Sequence, residues 1–159
     1  MKNPTALTNK SIIVSDNYEQ IDGRNAYHTD VKILSLGLSQ KDEQGKEGIS
    51  AKVWSHSGEE WFNKSEELPF HRVIDLAILL CRSSLYFQDA YRLPKLYDPD
   101  NPKIDRIGLQ GDAMNVSICT DNPMIDDDIK LFSQALSADG EMIGERLRVL
   151  SRLLKEMGY

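Results

Sequence analysis

The segment from Pro69 to Phe87, PFHRVIDLAILLCRSSLYF, constrains the fold more than any other stretch of this chain. Wound as a helix at about 100° per residue, it places Phe70, Val73, Ile74, Ala77, Ile78, Cys81 and Leu85 on one broad side. Leu76, Leu79, Leu80 and Phe87 extend apolar cover over most of the remainder. A helix that is apolar nearly all round is expected to be enclosed, so the sequence predicts a central buried helix over about residues 69–92. Pro69 suits its first turn, where a missing N–H costs nothing, and Glu66 and Glu67 would cap it at the positive end of the dipole.

The flanking segments supply the layers around it. SIIVS, residues 11–15, reads as a short strand, followed by a turn-rich connection, DNYEQIDGRN. VKILSLGLSQ alternates, with Leu34, Leu36 and Leu38 on one side and Ser35, Gly37 and Ser39 on the other. After the polar turn KDEQGKEG, ISAKVWSHS alternates again and sets Ile49, Ala51 and Val53 against Ser50, Lys52, Trp54 and His56. The pair predicts an antiparallel hairpin whose leucine-rich side faces the core. A weak further strand is expected around EEWFN, residues 59–63.

Beyond the helix, Pro94, Pro99 and Pro102 mark an ordered loop anchored by Leu96, Tyr97 and Ile104, and RIGLQGDAMNVSICTDNP holds one or two strands around a glycine turn. Two helices then close the chain, about residues 124–137 and 139–157. In the second, Ile143, Leu147, Leu150, Leu154 and Met157 are spaced four, three, four, three, a heptad seam that could be core or could pair with a second copy. The fold class is therefore α+β: a small antiparallel sheet with an N-terminal hairpin, packed against the central helix and two C-terminal helices, in one compact domain spanning residues 1–159.

Charge and composition exclude several classes of function. The net charge of −6 has no lysine or arginine block to offset it, which disfavours nucleic acid as the main partner. The longest apolar run, Leu76 to Cys81, is six residues, so no membrane span is expected. The N-terminal MKNPTALTNK lacks the apolar segment of a secretory signal, and the two cysteines, Cys81 and Cys119, do not make a disulfide framework. A cytoplasmic protein with reduced thiols is the expectation.

Candidate chemistry is sparse. On the long helix His71, Asp75 and Arg82 fall within about 40° of one another, where Asp75 could orient His71 for proton transfer and Arg82 could clamp an anion. The plainer reading of the same residues is a structural His71–Asp75 pair with an Asp75–Arg82 salt link. Cys119 and Ser57 are imaginable nucleophiles without a neighbouring base. His28, His56 and His71 lack metal-ligand spacing, and neither a metal nor a cofactor is expected. Asp126, Asp127 and Asp128 suit a helix N-terminus. Trp54 shares a strand face with Lys52 and His56, while Tyr86, Tyr91 and Tyr97 gather near the end of the long helix; such amphipathic side chains favour binding surfaces.

Taken together, NYEQIDGRNAY, ISAKVW, SEELPFHRVIDLAILLCRS, YRLPKLYDP, IGLQGDAM and IGERLRVLSRLLKEMGY resemble a family of small bacterial proteins catalogued only as a domain of unknown function. The resemblance implies a single compact unit and no mechanism. The functional expectation is a non-catalytic cytoplasmic binding or interaction protein, taking a protein partner or small-molecule ligand through the aromatic-bearing sheet face and neighbouring loops, with a homodimer as its simplest assembly. The alternative is a small hydrolase or nucleotide-acting enzyme using His71, Asp75 and Arg82.

Overall fold

The computed structural model describes residues 11–39, 43–56 and 65–159. The expected EEWFN strand and Ser57 lie outside these residues. The chain falls into two compact units, Met1–Ala77 and Ile78–Tyr159.

The first unit is a four-stranded antiparallel sheet in sequence order: β1 (Ser11–Ser15), β2 (Val31–Leu38), β3 (Ile49–Ser55) and β4 (Ser65–Pro69). The alternation in β2 and β3 sets the register, pairing Leu34 with Val53, Leu36 with Ala51 and Leu38 with Ile49 on one face. Ser35 with Lys52 and Gly37 with Ser50 form the other. Between β1 and β2 the chain makes two short 3-10 turns, Tyr18–Gln20 and Gly23–Asn25, tied to β2 by a Lys32–Glu19 ion pair.

Two expectations fail here for the same reason. SEELP is a strand and not a helix lead-in: Glu67 lies opposite Lys52, with 3.5 Å between their charged groups, and Pro69 ends the strand opposite Ser50. Pairing with β3 satisfies the backbone of residues 65–69, which a helix N-terminus would have left without partners. Neither Glu66 nor Glu67 caps the helix, whose first turn carries no acid.

The long helix, α1 (Phe70–Asp89), begins where β4 stops, and the division between the units falls within it. The expectation that it is buried is overturned. None of its residues is buried, and Ile74, Leu76 and Leu85 are more than half exposed. Its cover is partial: Phe87 meets Phe132 with ring centroids 5.5 Å apart, and Arg82 reaches Asp105.

In the second unit a 3-10 turn, Ala90–Arg92, leads through a loop to the hairpin β5 (Lys103–Gly108) and β6 (Ala113–Ser117). The turn is closed by the Leu109 N–H to Asp112 carbonyl bond of 2.9 Å, with Gly111 at φ +95°. Helices α2 (Ile125–Ala138) and α3 (Gly140–Met157) are separated by Asp139 alone. Helical bonding runs through it: the Asp139 N–H donates to Ala135 and its carbonyl accepts from Ile143. The small core of this unit contains Ala90, Tyr97, Val116 and Ile129.

Candidate functional site

The sheet buries the face that its composition marks as polar. Ile33, Ser35, Ser50 and Trp54 are all buried, Trp54 to 6% exposure, while Leu36, Ile49 and Leu68 are 44%, 49% and 40% exposed. Alternation fixes which residues share a face but not which face turns inward. Here the largest side chain decides. Trp54 has more apolar surface to hide than any leucine opposite, and Ser35 and Ser50 leave room for its ring. Its Nε1–H donates to Ser35 Oγ at 2.8 Å, so its polar edge is satisfied inside, and Ser35 Oγ also lies 3.3 Å from Ser11 Oγ. Lys52 keeps its ammonium 5.6 Å over the Trp54 ring and reaches Glu67 at the edge.

The leucine face consequently lies open as a trough of about 470 Å³. Its floor is Leu34, Leu36, Ala51 and Val53; Ile13 of β1 and Leu68 of β4 form the flanks, and Val73 from the first turn of α1 stands at its rim. Glu66, opposite Val53 on this face, lines the trough. The outer strands β1 and β4 are the sheet edges, and β1 also exposes Ile12 and Ile13 beside the trough.

The binding residues expected on the aromatic face are therefore distributed differently. Trp54 is core, and His56 is partly buried with its backbone N–H bonded to the Asp30 carbonyl at 2.8 Å. Neither forms an open aromatic surface. In the second unit Tyr91 is 77% exposed, whereas Tyr86 and Tyr97 hold the loop before β5. Tyr86 Oη donates to the Leu96 carbonyl at 2.8 Å, fixing a residue that sits in left-handed backbone at φ +65°. Tyr97 Oη donates to Asp126 Oδ1 at 2.7 Å, and Lys95 reaches Asp126 Oδ2 at 3.2 Å. The Tyr97 hydrogen bond, with Lys95 beside it, lowers the Asp126 carboxyl below its ordinary range; the same bond raises the Tyr97 phenol. Asp126 thus ties this loop to α2 as well as facing the dipole of its first turn.

The helix candidates are not assembled into a dyad. His71 is exposed and its ring meets Phe70 edge-on at 6.0 Å; among the described residues no hydrogen bond joins it to Asp75. Arg82 bonds Asp105 Oδ2 at 2.7 Å, not Asp75, because β5 of its own unit brings a carboxylate to it. That guanidinium, together with the Arg106 N–H, holds the Asp105 carboxyl below its usual range. Cys119 is exposed and lines, with Ile104, Val116, Ile125, Ile129 and Phe132, a second hollow of about 380 Å³ in the second unit. Among the described residues no three His, Cys, Asp or Glu side chains are grouped to hold a metal, and no helix is long and apolar enough to cross a membrane. Sequence reasoning missed the trough. Its available signal was Trp54 standing among small serines, which outweighs the leucines opposite.

Fold and trough together define a small α+β protein whose apolar sheet face is partly exposed. The chain belongs to DUF6530, a family of unknown function, whose family model matches residues 1–159. Comparison with curated proteins and with solved structures gave no match.

Proposed function

We propose that this is a non-catalytic interaction protein whose sheet trough receives an apolar segment of a protein partner. The observation that carries the reading is the inverted sheet: Trp54 is buried and the leucine face is open. A sheet face of this kind gains stability only when something covers it, and an amphipathic helix laid across four strands is the usual cover. The trough is broad and shallow, with a floor almost wholly of carbon, which suits aliphatic side chains of a polypeptide better than a small molecule needing several placed polar contacts. The same reading places the protein in the cytoplasm, supported by its acidic balance and by two cysteines that both stand free.

Photo-crosslinking in cells tests it. A benzophenone amino acid at Leu36 or Leu68 is expected to yield a discrete protein adduct, and the same group at Lys103 in the other unit is not. Adding Ala51→Glu to the floor should abolish the adduct. Equal labelling from all three positions, or an adduct indifferent to the new carboxylate, would remove the basis for the proposal.

A further inference from the structure

The helix α3 carries a second exposed apolar surface. From Arg148 to Tyr159 every residue is exposed, including Leu150, Leu153, Leu154 and Met157 at 41%, 43%, 40% and 69%. An isolated helix of three turns is marginal in water, since helices in proteins owe most of their stability to packing of an apolar face. Its C-terminus is nonetheless well formed. Gly158 is in left-handed backbone at φ +97°, and the Gly158 and Tyr159 N–H groups bond the Lys155 and Leu154 carbonyls at 3.0 and 2.9 Å.

We infer that α3 is a self-association element that pairs with α3 of a second copy. Three features select that occupant. The first is the seam: Ile143, Leu147, Leu150, Leu154 and Met157 recur at four, three, four, three, the spacing that lets one helix insert its side chains between those of another. Ser151 flanks the seam and is small enough for close approach. The second is area. The exposed parts of Leu150, Leu153, Leu154 and Met157 amount to on the order of 400 Å²; with the half-buried Ile143 and Leu147 and the stem of Arg146, roughly 600 Å² per copy would leave water, near the lower bound of specific interfaces. The third is charge. The polar side of α3 carries Arg146, Arg148, Arg152 and Lys155 against Glu141, Glu145 and Glu156, a balance of one positive charge, which gives an anionic membrane surface little purchase. Arg152 and Glu156 already pair with each other at 3.1 Å on that side. An interface this small predicts dissociation at micromolar concentration.

Two measurements on the full chain decide the matter. Light scattering at 100 µM is expected to give twice the 18.0 kDa chain mass, falling toward one chain on dilution below the micromolar range. Leu150→Glu with Leu154→Glu should hold the protein at one chain, while Arg152→Glu, on the outer side, should leave the association intact. Should the seam variant not fold, hydrogen exchange of the unaltered protein serves instead, with amides of residues 148–157 protected at least tenfold more at 100 µM than at 0.5 µM. A wild-type mass of one chain at 100 µM, loss of association in the outer-side variant alone, or exchange independent of concentration would each overturn the inference. Vesicle binding by a protein that stays a single chain would assign the stripe to lipid.

Discussion

The inverted sheet makes an unequal-cost prediction for two residues three apart on the same strand. Ile33 is 3% exposed beside Trp54, so Ile33→Ala removes buried methyl groups and leaves a cavity against a ring that cannot relax; about 3 kcal/mol is expected. Leu36 lies over the open trough at 44% exposure, where truncation forfeits only part of the transfer free energy and creates no enclosed void; about 1 kcal/mol is expected. Urea unfolding followed by circular dichroism separates the two. With an m-value of roughly 1.5 kcal/mol/M, the midpoints should fall by about 2 M and about 0.7 M. A Leu36→Ala loss equal to or larger than that of Ile33→Ala would mean that the leucine face is the core, and the trough reading would fall with it.

Other consequences are as direct. Trp54→Phe keeps most of the ring but leaves Ser35 Oγ without its indole donor, which should cost about 1–2 kcal/mol in the same urea assay. The Asp126 carboxyl is held below its unfolded value chiefly by Tyr97, so its contribution to stability is present above the unfolded pKa and is lost as pH falls through the folded one; Tyr97→Phe should flatten the acid limb of the melting profile below about pH 4. Cys119 should react with a maleimide severalfold faster than the partly buried Cys81, read by mass spectrometry of the labelled peptides. Gly158→Ala should lower stability by about 1 kcal/mol, because alanine resists the left-handed conformation that closes α3.

Local pattern was legible wherever a single element decided it. β2, β3, α2 and α3 follow directly from alternation and from four-and-three spacing, and the hairpin within RIGLQGDAMNVSICTDNP from its glycine turn. What could not be read was the side on which each apolar face finds its partner. Leu34, Leu36 and Leu38 are more apolar in sum than Ile33, Ser35 and Trp54, yet one ring with a satisfied N–H outweighs them, a balance that no single strand's alternation announces. The same limit explains α1, where an almost wholly apolar circumference implies cover without naming what supplies it. Asp75 and Arg82 share a helix face, but Asp105 comes from β5, twenty-three residues further along than Arg82, and no helical periodicity announces it.

Those open faces bear on stability as much as on binding. Among the described residues the buried apolar side chains are Ile33 and Trp54 in the first unit and Ala90, Tyr97, Val116 and Ile129 in the second. Cores this small leave little surplus over the entropy of ordering the chain, so a partner on the proposed trough or on α3 would add a large share of the folded state's margin. For self-pairing through α3 the linkage is quantitative. When nearly all folded chains are paired, each tenfold rise in concentration favours the folded dimer by about 1.4 kcal/mol per dimer, and the melting temperature must rise with it. Calorimetry of the wild-type protein at 5 and 500 µM should show that rise, and the Leu150→Glu, Leu154→Glu protein should melt at one temperature at both. A wild-type transition that does not move across this range would mean that the apolar stripe of α3 contributes nothing through pairing and that each copy is stabilised by its own contacts alone.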